Sequence, residues 1–214
     1  MSRKLHYPKI RDSRDFPLGK CIAFEKVDGT NLHFNWQRGD GWTFMGTRRD
    51  EFRLDKLGEA SFRERHQHLA DAGQVFRKGL CEPLTELLSS DRCHGWNEVA
   101  IFAEYVGPHS FAGLHKADDP KQLVLFDVEV NGDLIDPFEF VEVFSELSIA
   151  RVVYQGKFTG NFAEAVRQGK YNVTEGVVCK TGSRGNVQMC KIKTNAYQAL
   201  LKKSFGERWQ DYWE

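Results

Sequence analysis

The sequence has no net charge and no long apolar segment. Its 30 lysine and arginine residues balance 30 aspartate and glutamate residues. No overall positive field would therefore attract a polyanion, and a nucleic-acid site has to be a local cluster. No apolar run approaches the length that crosses a membrane, and the residues after Met1 lack the apolar core of a signal peptide. We therefore expect no membrane partner and an intracellular, cytoplasmic protein.

Cysteine pairs are also lacking. The five cysteines are an odd number, and no two of them are spaced Cys-x-x-Cys. This pattern argues against a disulfide framework, and we expect buried free thiols. One group of histidines and cysteines has a spacing that fits no zinc-binding pattern. Its members are His66, His68, Cys81, Cys93 and His94.

Repeats, low-complexity segments and Pro/Ser-rich linkers are absent as well. With 214 residues, of which 41% are hydrophobic, the chain can bury one full core. We therefore predict a single domain over residues 1–214.

Hydrophobic spacing predicts strands with helices inserted between them. Leu32, Phe34 and Trp36 alternate with polar residues, and a Gly-Asp-Gly turn then leads into a second extended run, as in an antiparallel hairpin. Between residues 55 and 90 the apolar spacing becomes helical, which indicates one or two helices. Asp136, followed by proline, is a typical helix N-cap. Further β-rich runs cover residues 99–106, 123–130, 151–154, 174–180 and 187–193. The pattern predicts an α+β fold with antiparallel sheets flanked by helices.

A lysine directly before a glycine turn is found in residues 24–31, Phe-Glu-Lys-Val-Asp-Gly-Thr-Asn. Lys26 ends an apolar, strand-like run. Burial among apolar neighbours destabilises an ammonium group, which frees the amine to attack phosphorus or a carbonyl carbon. An ordinary lysine at a strand edge has the same local pattern, so the motif alone leaves both interpretations open.

Charged residues recur at strand ends near the end of the chain. Glu175 and Lys180 flank an apolar run, and Lys191 and Lys193 follow on the next predicted strand. Alternate residues of a strand share a face, so the last two lysines project together, which suits neutralisation of a phosphate. Glu175 offers oxygen to a hard divalent cation. Taken together with Lys26, this repetition favours a phosphate and metal site over solvated surface charges.

These segments resemble the covalent nucleotidyltransferase superfamily of RNA ligases, DNA ligases and messenger-RNA capping enzymes. The superfamily's motifs are similar, in order, to residues 25–31, 46–49, 101–107, 123–128, 174–180 and 189–193. The resemblance covers most of the chain. It implies an adenylation domain of antiparallel sheets flanked by helices.

Asn31 favours the RNA ligases within this superfamily. DNA ligases and capping enzymes usually carry arginine five positions after the nucleophile, whereas this chain resembles the RNA ligase 2 type in having asparagine there. The Glu-x-x-Gly-Pro string of residues 104–108 is also similar to RNA ligases. The resemblance implies that RNA 3′-hydroxyl and 5′-phosphate ends are joined through lysyl-AMP and an adenylylated end. The implied cofactors are ATP and Mg²⁺ or Mn²⁺.

The resemblance also implies roles for individual residues. Lys26 is the implied nucleophile and Glu175 the implied metal ligand. The residues implied to contact the nucleotide or the 5′-phosphate are Glu25, Asn31, Arg48, Arg49, Glu104, Phe126, Lys191 and Lys193. Of these, Glu104 is implied to bind a ribose hydroxyl and Phe126 to stack on adenine, as a carboxylate and an aromatic face can. The sequence leaves a core position open for Phe126, and it does not choose between Arg48 and Arg49.

The residues after Lys193 leave no room for a second domain. Residues 194–214 are predicted to form one helix, whereas DNA ligases and capping enzymes usually append an OB-fold and these RNA ligases often a helical domain. We therefore expect a catalytic core without an appended OB-fold, which acts on RNA ends alone or with an accessory protein. Two alternatives stay open. One is a DNA ligase or another nucleotidyltransferase, such as a capping guanylyltransferase, and the other is a non-catalytic module that binds RNA ends.

Overall fold

Two largely antiparallel sheets form the framework of the computed structural model, which describes residues 6–107, 116 and 118–212, without the side chains of residues 210–212. The five-stranded sheet has the order β1 (Arg11–Asp12), β11 (Asn186–Lys193), β10 (Gly176–Ser183), β2 (Lys20–Lys26) and β9 (Val152–Lys157). The six-stranded sheet has the order β5 (Asp50–Arg53), β4 (Gly41–Thr47), β3 (Thr30–Gln37), β6 (Glu98–Val106), β7 (Gln122–Val130) and β8 (Asp133–Leu134). Within the described residues there is no third sheet.

Six α-helices accompany the sheets in the described residues. They are α1 (Lys56–Arg65), α2 (Ala72–Phe76), α3 (Glu82–Ser89), α4 (Pro137–Phe144), α5 (Gly160–Arg167) and α6 (Asn195–Phe205). The predicted α+β class is confirmed, although the 55–90 region holds three α-helices where one or two were expected. A π-helical turn over Arg77–Cys81 and short 3₁₀ turns separate them. No helix in the described ranges combines the length and the apolar character needed to cross a membrane.

Local sequence signals set several element ends as predicted. In the β3–β4 hairpin, Leu32, Phe34 and Trp36 are buried, and Gly39 and Gly41 have positive φ angles at the turn. Asp136 caps α4, because its carboxylate accepts hydrogen bonds from the backbone N–H groups of the second and third helical residues. The predicted C-terminal helix is shorter than expected. Its α part ends at Phe205, residues 206–212 form 3₁₀ turns, and residues 213 and 214 lie outside the described residues.

Helices cover the outer face of each sheet and leave the inner faces opposite one another. One core lies between the six-stranded sheet and helices α1 to α3, with α4 closing its far end. The other core lies between the five-stranded sheet and α5, and it contains Cys21, Cys179 and Cys190. All five cysteines are free. Four are buried as predicted, and Cys81 is half-buried.

A β-bulge in β7 turns two consecutive side chains toward the five-stranded sheet. Cross-strand pairing shifts from Phe102 with Asp127 to Ala103 with Leu125, so Phe126 is an extra residue. Leu125 lies in the helix-side core, as does Val128 on the other side of the bulge. Phe126 and Asp127 therefore both project from the opposite face.

Candidate active site

Lys26 lies at the end of β2 in an ion-paired cluster. In the five-stranded sheet Lys26 pairs across strands with Gly176, and Gly176 pairs with Lys193. Glu175, immediately before Gly176, is 2% exposed. Its Oε1 atom lies 2.9 Å from the Nζ atom of Lys26 and 3.2 Å from that of Lys193. Two ammonium groups thus share one buried carboxylate oxygen.

The second carboxylate oxygen of Glu175 gives the site its capacity for a cation. This Oε2 atom is buried and has no hydrogen-bond partner among the described residues. A buried carboxylate oxygen without a partner carries a desolvation cost that a divalent cation would remove. Glu175 therefore fits the metal-ligand role that the sequence resemblance implied.

Surrounding carboxylates reverse the effect of burial on Lys26. Burial by itself lowers the pKa of this lysine, but the charges of Glu175, Glu104 and Asp28 outweigh it and raise the pKa above its ordinary value. The expectation that desolvation would free the amine is wrong for the ligand-free state, because the nearby carboxylates hold the proton. Lys193 behaves in the opposite way. Burial dominates there, and its pKa is lowered.

Asn31 and Glu104 lie side by side on the inner face of the six-stranded sheet. They are cross-strand partners in β3 and β6. A Cβ atom at Gly29 would lie 2.4 Å from the carbonyl oxygen of Tyr105 and 2.9 Å from Cγ of Glu104, so only glycine allows this approach. Burial raises the pKa of Glu104 to about 7, against the opposing effect of Lys26. The Oδ1 atom of Asn31 is buried without a hydrogen-bond partner in the described part of the chain.

Arg48, and not Arg49, faces this site. The Nε group of Arg48 donates a hydrogen bond of 3.0 Å to the carbonyl oxygen of Tyr7. Its Nη2 atom is buried and has no partner among the residues described. Arg49 is exposed and does not line the cavity. The structure thus separates the two arginines that the sequence left equivalent.

A cavity of about 270 Å³ lies between the two sheets. The predicted site residues that line it are Glu25, Lys26, Asn31, Arg48, Glu104, Phe126 and Lys191. Glu175 and Lys193 join this set through their ion pairs with Lys26 and with each other. Glu25 lines the cavity while its carboxylate binds the Nε group of Arg151 at 2.8 Å. Of the predicted set, only Arg49 lies apart.

Comparison with known families decides the assignment. A family model described as RNA ligase matches residues 19–193. The chain belongs to the RNA ligase family. The fold class predicted from the sequence and the match of the ordered motifs agree with this membership.

Solved structures of RNA ligases share the fold at low sequence identity. A variant of Naegleria gruberi RNA ligase with ATP and Mn superposes with a TM-score of 0.64 at 16% identity, over 93% of this chain and 59% of that one. An archaeal ATP-dependent RNA ligase gives 0.60 at 17%, over 96% and 54%. Another Naegleria gruberi variant, with AMP and Mn, gives 0.57 at 18%, over 84% and 51%. The chain thus spans little more than half the length of these ligases. A search of curated proteins finds no significant match.

In this RNA ligase family member, a buried network that the sequence did not reveal joins the two sheets. Lys180 is 2% exposed, and its Nζ group donates to the carbonyl oxygen of Phe126 at 2.6 Å and to Asp127 Oδ2 at 2.8 Å. Burial lowers the pKa of Lys180. The hydroxyl group of Tyr7 donates to the same carboxylate oxygen at 2.8 Å. The only sequence signal for this pair is that Asp127 and Lys180 are single charged residues in otherwise apolar runs.

Phe126 lines the cavity, and it also packs against the larger of the two cores. Its ring is half-buried and meets the ring of Tyr7 edge-on, with 5.2 Å between centroids. Tyr7 also contacts Phe102. The buried network of Lys180, Asp127 and Tyr7 therefore fixes the backbone of Phe126. The ring of Phe126 stays at the cavity surface, where a flat ligand can stack.

Proposed function

We propose that the chain is an ATP-dependent RNA ligase whose nucleophile is Lys26. The observation that carries the proposal is the meeting of Lys26, Glu175 and Lys193 on one side of a cavity whose other side holds Glu104 and Phe126. Charged groups at one end suit the phosphates of a nucleotide, and an aromatic face with a carboxylate suits a base and its ribose. Membership of the RNA ligase family supports the same assignment.

In the proposed reaction, the Nζ atom of Lys26 attacks the α-phosphorus of ATP. A nitrogen–phosphorus bond forms, the bond to the bridging oxygen breaks, pyrophosphate leaves, and the lysine nitrogen loses its proton. The AMP group is then transferred to an RNA 5′-phosphate, and a 3′-hydroxyl displaces it to form the phosphodiester. Each step is a displacement at phosphorus in which positioning and charge neutralisation supply most of the catalysis.

Lys26 has to lose the proton that its neighbours hold. Among the charges that raise the pKa of Lys26, that of Glu175 has the largest effect. We propose that Glu175 holds a divalent cation, Mg²⁺ or Mn²⁺, through its unpartnered Oε2 atom. A carboxylate that shares its charge with a cation stabilises the ammonium less, so the pKa of Lys26 falls when the site is loaded. When bound, the cation also stabilises the charge on the phosphoryl oxygens.

The remaining site residues are proposed to hold the nucleotide. Glu104 accepts from a ribose hydroxyl, Phe126 stacks on adenine, and Lys191 and Lys193 neutralise phosphates. Glu25 lines the cavity from the five-stranded sheet and Asn31 from the six-stranded sheet. Arg48 directs its Nη2 group toward the nucleotide or the 5′-phosphate. Arg49 is left out of the proposed site because it is exposed.

RNA ends are the proposed substrate, and Asn31 at the fifth position after Lys26 supports RNA over DNA. We propose that residues 1–214 act as one adenylation domain, either alone or with an accessory protein that supplies further RNA contacts. Since the reaction consumes ATP, we also propose an intracellular, cytoplasmic location. Pro108 of the RNA-ligase-like string lies outside the described residues.

The test is covalent labelling with ATP that carries the label at its α-phosphate. With Mg²⁺ present, we expect label that stays on the denatured chain in alkali and is released by acid, as for a nitrogen–phosphorus bond, and no label on Lys26→Ala. Lys157→Ala, which removes an exposed lysine of β9, is the matched control and should label normally. Absence of label from the unaltered chain would overturn the proposal, and label on folded Lys26→Ala would move the nucleophile elsewhere. Sealing of nicked RNA, nicked DNA and single-stranded RNA by the labelled protein then ranks the substrates.

A further inference from the structure

A second cluster of ligand-type side chains lies beside the nucleotide cavity. It consists of His6, His33 and Glu51, whose ligand atoms all lie within 4.8 Å of one another. The Nε2 atom of His33 lies 3.3 Å from Glu51 Oε2, and the Nδ1 atom of His6 lies 4.0 Å from the same oxygen. The two imidazole rings are stacked, with 4.3 Å between centroids. None of these residues has a role in the proposed adenylation chemistry.

The sheet is shaped to bring two of these side chains together. His33 pairs with Gly46 across β3 and β4, and Gly46 pairs with Glu51 across β4 and β5. His33 and Glu51 are thus two strands apart, and they meet over a residue with no side chain. A Cβ atom at Gly46 would lie 2.6 Å from Cε1 of His33 and 2.0 Å from the carbonyl oxygen of Asp50. Glycine is therefore required at this crossing.

The carboxylate of the cluster is also oriented by a neighbour. The Nδ2 group of Asn35 donates a hydrogen bond of 2.8 Å to Glu51 Oε2. Metal-binding carboxylates are commonly held by such outer hydrogen bonds. His33 is 1% exposed, whereas His6 and Glu51 are partly open to solvent, which gives an ion a path to the cluster.

We propose that His6, His33 and Glu51 bind one divalent transition-metal ion of the zinc type. Two imidazole nitrogens and one carboxylate are a ligand set that zinc and its neighbours accept, whereas Mg²⁺ prefers oxygen. Ligand atoms around tetrahedral zinc lie about 3.4 Å apart. Closing the 4.0 Å between His6 Nδ1 and Glu51 Oε2 to that spacing takes a shift of about 0.6 Å. The His6 ring also has to rotate out of its stack on His33, because parallel rings cannot both direct a nitrogen lone pair at one ion.

The bound ion fastens the N-terminal segment to the sheet. His6 precedes Tyr7, whose carbonyl oxygen accepts from Arg48 and whose ring lies against Phe126. The backbone N–H of His6 donates to the carbonyl oxygen of Arg48 at 3.1 Å. An ion at His6 thus fixes one wall of the cavity without touching Lys26 or Glu175.

The test uses the chain stripped of metal and titrated with Co²⁺ and with Zn²⁺, with Mg²⁺ in excess to occupy oxygen-only sites. We expect one Co²⁺ per chain, with the visible absorption of a four-coordinate nitrogen and oxygen site. Zinc at about 100 times its dissociation constant should raise the melting temperature by about 5 to 10 °C. These readouts do not depend on ligase activity. Metal binding can therefore fail while lysyl-AMP formation succeeds, and lysyl-AMP formation can fail while metal binding succeeds.

Three variants decide the ligands. His6→Ala and Glu51→Gln should each weaken Co²⁺ binding at least about 100-fold, and His94→Ala, which removes an exposed histidine before β6, should leave it unchanged. His6 lies outside the sheets, so its variant tests the proposal even where Glu51→Gln fails to fold. Equal binding by all variants, a thiolate-to-cobalt absorption band, or no Co²⁺ bound in excess Mg²⁺ would each overturn the site.

Discussion

The two walls of the nucleotide cavity differ in how their charges are arranged. On the five-stranded sheet, Lys26, Glu175 and Lys193 form a closed ion-paired cluster. On the six-stranded sheet, Asn31 and Arg48 each present a buried polar atom that has no partner among the described residues. The first wall is ion-paired within itself except at Glu175 Oε2, which suits a cation, whereas the second offers hydrogen-bonding atoms that suit a nucleotide.

This difference separates two tasks. The paired cluster holds the reactive groups in place, and it has to be opened by a cation and a nucleotide before Lys26 can react. The opposite wall is arranged for binding, because its unpartnered groups recover their hydrogen bonds when a ligand arrives. Substitutions on the first wall should therefore affect rate, and those on the second should affect affinity.

The largest effect is expected where the two walls are tied together. Asp127→Ala leaves the ammonium of Lys180 buried without its carboxylate, and we expect a loss of about 3–5 kcal/mol in the free energy of unfolding. Urea denaturation followed by circular dichroism measures it. The double variant Asp127→Leu, Lys180→Met removes both charges and should recover most of that loss. A single variant as stable as the parent chain would show that the pair does not join the sheets.

Glu175→Gln should come next, with adenylylation slowed about 100-fold or more. The substitution removes both the metal-binding charge and the main support of the raised pKa of Lys26. The pKa of Lys26 in the ligand-free chain therefore falls. Single-turnover labelling measures the rate, and NMR titration of the ligand-free chain measures the pKa. A normal rate, or an unshifted pKa of Lys26 in the ligand-free chain, would contradict the role given to the paired cluster.

Arg48 and Arg49 offer a matched test of the binding wall. Arg48→Ala should lower kcat/KM about 10- to 100-fold, as expected for loss of a charged hydrogen bond, whereas Arg49→Ala should stay within about twofold because its side chain is exposed. Steady-state kinetics with varied ATP and varied RNA ends would show which ligand Arg48 binds. Equal losses of kcat/KM for the two variants would contradict the placement of Arg48 at the cavity and of Arg49 outside it.

The smallest effect is expected from Glu104, whose pKa is raised to about 7. The folded chain keeps this proton at pH values where the unfolded chain has released it. Stability from this group is therefore present below the ordinary glutamate pKa, declines as the pH rises toward 7, and levels off above it. Relative to Glu104→Gln, the parent chain should lose about 1–3 kcal/mol between pH 4 and pH 8. Urea denaturation at both pH values measures it, and Glu98→Gln on the same strand is the control. An equal pH dependence in parent and variant would contradict the raised pKa.

Sequence reasoning predicted the parts of the fold that local patterns determine. The alternation of Leu32, Phe34 and Trp36 defined the hairpin, and Asp136 before a proline defined a helix start. The ordered motifs also predicted seven of the residues that line the cavity, but not the segment from Tyr7 to Ile10 that lines it as well. Helix number between residues 55 and 90 was missed, because the π-helical turn there keeps the helical spacing while it interrupts the α-helix.

Features that depend on distant contacts were not predictable in this way. The pKa of Lys26 was expected to fall because its neighbours in sequence are apolar, but the carboxylates that raise it include Glu175 and Glu104, which are distant in sequence. Arg48 and Arg49 are adjacent in the turn between β4 and β5, and only contacts with distant residues, such as the hydrogen bond from Arg48 to Tyr7, show which one faces the cavity. His6, His33 and Glu51 lie on three separate segments, and no spacing pattern connects them.

The bulge in β7 makes the length of that strand a constraint in its own right. Removal of one residue between Leu125 and Val128 would keep the composition of the strand apolar, yet it would turn either the aromatic wall or the helix-side core to the wrong face. Evolution can therefore exchange side chains along this strand more freely than it can shorten it. Among descendants of this chain, we expect substitutions there to outlast deletions.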